Sequence, residues 1–369
     1  MEKLIRSYEQ TYGKPDTLIA LEAEQGDASF HVAVKNPMPD QEMPESTITS
    51  LGLSGLSDHD VELNIDVNGK QSKKVIEATG AFFYKFHQEL ITADEIVPGS
   101  IYRNAEVPEF DGMKAAIIIN KGYLEPEWLD HEKETGKVMT IVPLFDEEAD
   151  ELERLPIQVR ELFVRRSQLP VADPKRKKDS VVRLAVKRVW QNITEWYKAH
   201  KEKQTATLTT ALKGKKTDDP AAALEKELGI KLPEDFRHSF DLIHERIVVG
   251  EYTLYDEKSM VKTARDMNGL NAEGAFKKAQ KKVTKDTRIQ QVWWHEQWIP
   301  VAVNSYNDRI CIDMAPGPAG IPGQVIMHYN DVGPDPSGFE CFFQWLEDFY
   351  NELRSELFEV NEHGEILKK

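Results

Sequence analysis

The hydrophobic pattern of residues 1–170 is mainly that of β-strands. Residues 61–67 and 30–34 alternate apolar and polar side chains, which is the period of two expected for strands with one buried face. Further strands are predicted from three apolar runs, at residues 17–21, 115–119 and 138–144. Because these strands are interleaved with predicted helices, the region is expected to form an α+β domain.

Helices are predicted where apolar residues recur every three or four positions. Apolar residues between 76 and 90 have this spacing. Residues 146–168 open with acidic side chains, which favour a helix N-terminus, and Pro156 is expected to interrupt this helix. Residues 182–196 predict an amphipathic helix with a basic outer face. The polar, lysine-rich residues 201–219 are typical of a mobile loop.

The region after residue 217 combines punctuated helices with short strands. Asp219 is predicted as the N-cap of one helix, Pro220 as its first residue and Gly229 as its end. A second helix is predicted after Pro233, and an apolar stripe predicts a closing helix over residues 342–357. Apolar runs between turns predict an antiparallel meander with strands at residues 292–294, 298–303, 309–314 and 324–329.

Charge divides the chain into three parts. Residues 1–170 carry 32 acidic and 17 basic side chains, residues 171–216 carry 4 and 13, and residues 217–369 carry 27 and 17. We therefore predict an α+β protein of two domains, 1–170 and 217–369, each a mainly antiparallel sheet with packed helices. A basic helical linker, 171–216, joins them.

The basic linker is open to three interpretations. Its cations form a solvated helix face, clamp the two acidic domains together, or contact nucleic acid. Direct nucleic-acid binding is disfavoured because acidic domains on both sides of the linker would repel phosphate groups.

Composition narrows the class of protein. The chain has 369 residues, a formal net charge of −16 and 40% hydrophobic residues, which is typical of a folded, acidic protein. It contains no apolar run of about 18 residues, and its N-terminus lacks an apolar signal segment, so no membrane association is expected. Two cysteines cannot build a disulfide framework, which favours a reducing compartment. We expect a cytoplasmic location.

Phosphate-binding and metal-binding motifs are incomplete. The glycines of residues 316–323 alternate with prolines, which lack the N–H donors that a phosphate loop uses. His295-Glu296 lacks the second histidine of a zinc-binding helix. Residues 58–60, Asp-His-Asp, are typical of a turn leading into a strand. We therefore expect no metal and no cofactor.

Nucleophilic catalysis is also disfavoured. Cys311 lies in an apolar strand, where a buried and inert thiol is expected. Cys341 lies at the predicted start of the last helix, where the helix N-terminus could lower its pKa, but the sequence ties no histidine to it. A hydrolase is therefore disfavoured, and no catalytic residue is predicted.

A tryptophan cluster is the best candidate for a binding site. On a strand, Trp293 and Trp294 would point to opposite faces, so both are buried only if both faces are covered. Two interpretations stay open: the rings pack beneath the flanking helices, or one ring is exposed and forms a binding hot spot with an acidic rim. The second interpretation predicts the partner-binding residues Trp294, Trp298, Tyr306, Asp308, Tyr329 and Asp331.

The second region resembles a SUKH-superfamily domain, the group related to a fungal cell-wall-assembly regulator. The resemblance spans about residues 181–354. It is carried by Ala222–Phe236, Trp298-Ile299-Pro300-Val301-Ala302, Cys311-Ile312-Asp313, Gly323-Gln324-Val325 and Phe343-Gln344-Trp345-Leu346. Asp241-Leu242-Ile243-His244 departs from it where many members carry an Asn-Gly turn.

The first region is similar to the Suppressor-of-fused (SuFu) domain over about residues 15–170. The matching stretches are Phe30-His31-Val32, residues 49–54 with Val61-Glu62-Leu63, and Val142-Pro143-Leu144 with the acidic helix after it.

The two resemblances imply a function in protein binding. Bacterial members of both families occur as immunity proteins of polymorphic toxin systems, which neutralise a cognate toxin, often a nuclease, inside the producing cell. The resemblance therefore implies a non-enzymatic antitoxin, with a basic nuclease as one candidate partner. The alternative is an intracellular scaffold or regulator unconnected to toxins. Neither the toxin-binding domain nor the oligomeric state follows from the sequence.

Overall fold

The computed structural model describes most of the chain and divides it into two compact units. The described residues are 2–22, 29–37, 45–56, 60–93, 95–123, 137–201, 208, 219–243, 245–283 and 285–369. The units are Met1–Val181 and Val182–Lys369. Each contains one mainly antiparallel sheet with packed helices, which confirms the predicted α+β class. In the described part, every helix falls short of the length and apolarity that a membrane span needs.

The first unit is an eight-stranded sheet with four described helices. Its helices are α1 (Glu2–Tyr12), α2 (Lys73–Leu90), α3 (Asp146–Glu153) and α4 (Ile157–Arg166). Its strands are β1 (Thr17–Glu22), β2 (Ser29–Lys35), β3 (Glu45–Leu51), β4 (Val61–Asn68), β5 (Ile101–Arg103), β6 (Ala115–Tyr123), β7 (Lys137–Leu144) and β8 (Val171–Ala172). The strand order is β1-β2-β3-β4-β7-β6-β5, with β8 paired to β4. Pairing is antiparallel except where β4 meets β7 and β8.

The two faces of this sheet pack against different helices. Helix α2 packs on β1 and β2 at Gly80, where an added Cβ would lie 2.2 Å from Leu21 Cδ1. Tyr8 of α1 packs with Ala33, Leu51 and Val138. Strand β4 is consequently buried on both faces along residues 61–67. The prediction that its polar positions face solvent is therefore wrong.

The basic segment before α5 contacts acidic side chains of its own unit. Arg176 donates two hydrogen bonds to the buried carboxylate of Glu148, at 2.5 and 2.7 Å. Lys178 pairs with the exposed Glu147 on the same helix, α3. The predicted linker, 171–216, thus contributes residues 171–181 to the first unit.

The second unit also contains an eight-stranded sheet. Its described helices are α5 (Val181–His200, starting one residue before the unit boundary), α6 (Pro220–Leu228), α7 (Glu234–Phe240), α8 (Glu257–Ala272) and α9 (Phe342–Leu353). Its strands are β9 (Ile247–Val249), β10 (Tyr252–Leu254), β11 (Trp298–Asn304), β12 (Arg309–Asp313), β13 (Gln324–Tyr329), β14 (Gly333–Pro336), β15 (Phe358–Val360) and β16 (Ile366–Lys368). The order is β14-β13-β12-β11-β10-β9-β16-β15, with only β9 and β16 parallel among these strands.

The predicted helix punctuation of the second unit is confirmed. The side chain of Asp219 accepts a hydrogen bond from the Ala222 amide, and Gly229 ends α6 in the left-handed conformation at φ 67°. In contrast, residues 292–294 form bends and not a strand, so that prediction is wrong. The closing helix ends at Leu353 instead of Leu357. The loop predicted at 201–219 lies mostly outside the described residues, as do Asp58 and His59.

Candidate functional site

The three clustered tryptophans belong to the core of the second unit. Trp294 is 1% exposed and Trp298 is 0% exposed, and Trp293 is also buried. Because residues 292–294 are irregular, the opposite-face rule for strands does not apply, and all three rings turn inward. Their centroids lie 5.4 to 6.4 Å from that of His328. Of the two interpretations left open by the sequence, packing in the core is the one that the structure supports, and the exposed hot spot at Trp294 and Trp298 is not present.

Hydrogen bonds fix two of the three indole rings and the backbone of the third tryptophan. The indole of Trp294 donates to Asn268 Oδ1 at 2.7 Å, and that of Trp298 donates to Asp313 Oδ1 at 3.0 Å. His328 Nε2 lies 2.9 Å from the carbonyl oxygen of Trp293 and donates to it. Burial lowers the pKa of His328 to about 4, so the imidazole is neutral at pH 7.

Tyr306 lies on the surface, at the tip of the turn between β11 and β12. It is 75% exposed, the highest value among the large apolar side chains of the described residues. The side chain of Asn304 accepts hydrogen bonds from the amides of Tyr306 and Asp308, both at 2.9 Å. Asn307 supplies the left-handed residue of the turn, at φ 64°. The turn is thus internally bonded and presents the phenol ring outward.

Asp308 connects this turn to the next one. Its Oδ1 accepts a hydrogen bond from the Asn330 amide at 2.9 Å, while Oδ2 accepts from Asn304 Nδ2 at 3.1 Å. Asn330 lies between Tyr329 and Asp331, in the turn from β13 to β14. The structure therefore joins the segments that carry four of the six predicted residues. We call this the hairpin surface, which consists of Tyr306, Asp308, Tyr329, Asp331 and the 56%-exposed Val332.

The rim of the hairpin surface has mixed charge. Lys282 Nζ donates a hydrogen bond to the backbone oxygen of Asp331 at 3.1 Å. Burial, and then the nearby carboxylate of Asp308, raise the pKa of Tyr252 to about 12, so this phenol stays neutral. The predicted acidic rim is therefore present at Asp308 and Asp331, but a lysine adjoins it.

A groove that the sequence did not reveal begins beside Tyr306. Its volume is about 750 Å³, and it crosses β9, β10, β11 and β16. Its lining includes Val248, Thr253, Val303 and Leu367, with Arg246, Glu251, Glu365 and Lys368 as charged members. Three of the strands that line the groove, β9, β10 and β16, have only three residues each, which is too short to show a hydrophobic period in the sequence. Only the exposed loop residues could have indicated this surface.

The thiols of both cysteines are buried and have raised pKa values. Cys341 caps the start of α9, but burial and the neighbouring carboxyl of Asp235 raise the pKa of its thiol well above the usual value. This is the opposite of the effect considered from the sequence, because desolvation outweighs the helix N-terminus. Burial likewise raises the pKa of Cys311.

The glycine loop and the isolated histidine have structural roles. A Cβ on Gly317 would lie 2.3 Å from the carbonyl oxygen of Thr287, and one on Gly320 would lie 2.1 Å from that of Arg288. These glycines allow close backbone packing. His295 Nδ1 accepts a hydrogen bond from the Gln297 amide. Across the described residues, no group of three or more His, Cys, Asp or Glu side chains is arranged to hold a metal ion.

A family model matches most of the second unit. Residues 217–352 match the SMI1 / KNR4 family (SUKH-1). The match confirms the SUKH resemblance predicted for this half of the chain. A curated relative, the cell wall biosynthesis/cell cycle regulator smi1 of Schizosaccharomyces pombe, is 49% identical over 43 residues. That alignment covers 12% of this chain and only 8% of the relative's length.

Solved Suppressor of Fused structures are similar to the N-terminal part of the chain. The Sufu-Fu complex is 14% identical over 51% of this chain and 94% of that chain, with a TM-score of 0.37. A Neisseria gonorrhoeae SuFu homologue is 13% identical over 49% and 95%, with a TM-score of 0.36. Drosophila Suppressor of Fused is 13% identical over 62% of each chain, with a TM-score of 0.35. Likenesses of this size carry no conclusion about function.

Proposed function

We propose that this chain is a non-enzymatic protein-binding protein, and specifically an immunity protein that neutralises a cognate polymorphic toxin inside the producing cell. The match of residues 217–352 to the SUKH-1 family carries the proposal, because SUKH domains bind proteins and are associated with immunity. The buried, high-pKa thiols of Cys311 and Cys341 are consistent with a function that needs no nucleophile.

The hairpin surface is the proposed contact site. Tyr306 combines a large apolar ring with a polar hydroxyl, the combination that is enriched in binding hot spots. Because Asn304 and Asp308 already fix the turn, little backbone entropy is lost when a partner binds. Trp294 and Trp298 are buried in the core and therefore lie outside the proposed contact site.

Electrostatic attraction is proposed to speed the encounter with a basic toxin. The chain carries a net charge of −16, and complementary charge raises association rates by about ten- to a thousandfold. Neutralisation then follows from covering or distorting the toxin's substrate cleft. We expect the association rate to fall as salt rises from about 50 to 200 mM, since the Debye length shortens. A rate that does not depend on salt would remove electrostatic steering from the proposal.

Growth rescue tests the toxin hypothesis. The full chain is co-expressed with a candidate toxin from an adjacent gene, and growth is scored. We expect the wild type and Leu357→Ala to rescue growth and Tyr306→Ala to fail. Leu357 is a matched control because it is also exposed, at 52%, and lies after α9 instead of on the hairpin surface. Rescue by Tyr306→Ala would exclude the hairpin surface, and failure by the wild type would exclude that toxin as the partner.

The regulator alternative is favoured by the similarity to S. pombe smi1. In that case the chain binds a host protein and no toxin gene lies beside it. Affinity capture from the native host separates the two functions. A toxin recovered with the wild type and lost with Tyr306→Ala supports immunity, whereas a housekeeping assembly with the same dependence supports the regulator.

A further inference from the structure

A lysine-rich segment follows α8 in the second unit. We call its exposed cations the lysine platform, which consists of Lys277, Lys278, Lys281, Lys282 and Lys285. In the part of the chain that the structure describes, none of them pairs with a carboxylate, and Lys282 donates only to the backbone oxygen of Asp331. The platform is therefore a concentration of unneutralised positive charge on a chain whose net charge is −16.

The platform is held on a fixed backbone. Between its lysines, Phe276, Ala279 and Val283 pack against the tryptophan cluster. Gln280 Nε2 donates to the backbone oxygen of Gln291 at 2.7 Å, and Gln280 Oε1 accepts from the Trp293 amide at 2.9 Å. Lys277, Lys278, Lys281 and Lys282 are thus presented from an anchored segment, which lowers the entropic cost of using them together.

Two arginines that flank the platform in the sequence are neutralised. Arg265 pairs with Glu227, and Arg288 pairs with Asp286 at 2.8 Å. An acidic chain has many carboxylates available. Five lysines that lie within nine positions and pair with no carboxylate of the described residues repel each other, and this repulsion destabilises the folded state. An external anion would remove that cost. We propose that the lysine platform docks an acidic segment of a partner protein.

An acidic protein segment fits the platform better than nucleic acid does. Residues 217–369 carry 27 acidic and 17 basic side chains, so phosphates extending beyond the platform would meet a repulsive surface. Phe276 is half-buried and Trp293 is buried, so neither ring is fully exposed for base stacking. A short acidic segment would contact the platform alone and would not reach the acidic surface beyond it. The platform adjoins the hairpin surface through the hydrogen bond of Lys282 to Asp331, but its charge is opposite to that of the carboxylates proposed to attract a basic toxin.

Fluorescence anisotropy of the full chain with a labelled poly-glutamate peptide tests the proposal. The test variant replaces four platform lysines with glutamine: Lys277→Gln, Lys278→Gln, Lys281→Gln and Lys285→Gln. Lys282 is kept because of its hydrogen bond to Asp331. The matched control makes the same charge change at exposed lysines of the first unit: Lys70→Gln, Lys74→Gln, Lys85→Gln and Lys114→Gln. Circular dichroism checks that both variants fold.

We expect the platform variant to bind the peptide about tenfold more weakly than the control variant does, on the scale of several exposed ion pairs. In the wild type, the bound peptide should protect the platform lysines from acetylation, as read by mass spectrometry, and leave Lys70 and Lys74 reactive. Equal losses in the two variants, or unprotected platform lysines, would overturn the proposal. Tighter binding of a single-stranded oligonucleotide of equal charge would assign the platform to nucleic acid instead. Self-association that only the platform variant loses would assign it to a second copy.

Discussion

Each unit buries a polar side chain in its core, and the surroundings of these two side chains differ. The first unit surrounds a buried carboxylate with hydrogen-bond donors: Glu62, 0% exposed, accepts hydrogen bonds from the amides of Gly52, Leu53 and Ser54 and from the hydroxyls of Ser50 and Ser54. The second unit surrounds His328 with aromatic rings and one carbonyl oxygen. Donors converge on the Glu62 side chain, whereas burial keeps the His328 imidazole neutral.

The Glu62 site therefore depends on hydrogen bonds to a carboxyl group, and the aromatic cluster around His328 depends on packing. Four donors from residues 52–54 hold the loop after β3 against the Glu62 side chain on β4, so the loop depends on a single side chain. The aromatic cluster depends instead on volume, because Trp294 and Trp298 contact each other and His328. We therefore expect the first unit to respond most to changes of charge, and the second to changes of volume and pH.

The largest expected loss of stability comes from removing buried volume in the second unit. Trp298→Ala should reduce the free energy of unfolding by about 3–5 kcal/mol, because it leaves a cavity. It also leaves Asp313 Oδ1 without its indole donor. Urea unfolding followed by tryptophan fluorescence reports this, since six of the seven tryptophans lie in the second unit.

Trp196→Ala is the control for that measurement. Trp196 is half-buried and stacks on the exposed His200, with centroids 4.3 Å apart. It should lose clearly less stability than Trp298→Ala. Equal losses would mean that the buried cluster has no special role in the second unit.

The next effect concerns charge in the first unit. Glu62→Gln keeps the side-chain shape, but its amide nitrogen cannot accept hydrogen bonds, so the Gly52 or Leu53 amide loses its acceptor in either orientation. We expect a loss of about 2–4 kcal/mol, since a buried donor is left unpaired and charge-assisted bonds are lost. Hydrogen exchange of β4, read by mass spectrometry, measures it.

Glu77→Gln provides the control for Glu62→Gln. Glu77 is exposed and lies 3.7 Å from Lys73 in a surface pair, so its loss should change exchange of β4 very little. If both variants behave alike, the converging donors do not stabilise the first unit, and the contrast between the units disappears.

How much of this could be predicted depends on the range of the interactions. The caps at Asp219 and Gly229 were predictable because they are local. Tyr306 and Asp308 were named as the surroundings of an exposed tryptophan; the tryptophans are buried, but Tyr306 is exposed. The role of Glu62 was not predictable, since its donors come from a loop that folds back over β4.

The tryptophan segment shows where sequence reasoning failed. The alternation rule needs an extended backbone, and residues 292–294 are irregular because their packing against His328 and Phe276 overrides local preference. The sequence also contains a basic stretch at residues 277–285, and only the structure shows that Phe276, Ala279 and Val283 anchor it. The conformation of the tryptophan segment and the position of the lysine platform therefore depend on tertiary contacts, which the sequence does not show.

The pH dependence of the second unit should be smaller than these substitution effects near neutral pH. The pKa of His328 is lowered to about 4 by burial, against about 6.5 in an unfolded chain, so between these values the unfolded state binds a proton that the folded state does not. Stability should fall as pH falls from about 6.5 to about 4, by at most about 1.4 kcal/mol per pH unit.

His328→Gln isolates this contribution. Glutamine can still donate to the Trp293 oxygen but does not titrate. Asp313 acts in the opposite direction, because burial raises its pKa and the folded state takes up its proton more readily as pH falls. Urea midpoints at pH 4.5 and 7 should therefore differ more for the wild type than for the variant. Equal pH dependence would show that His328 does not decide the acid sensitivity of the second unit.

The smallest effect separates local from buried interactions within the second unit. Asp219→Ala removes the N-cap bond to the Ala222 amide and should cost about 1 kcal/mol. Asp219→Asn keeps an acceptor and should cost less. Arg237 loses its contact with Asp219 in both variants but still pairs with Glu225 at 3.0 Å, so the comparison isolates the cap. Equal destabilisation by Asp219→Ala and Asp219→Asn in thermal unfolding would contradict this. Asp219 would then stabilise the second unit through its ion pair with Arg237 and not through the cap, and surface charge would contribute to the stability of this unit.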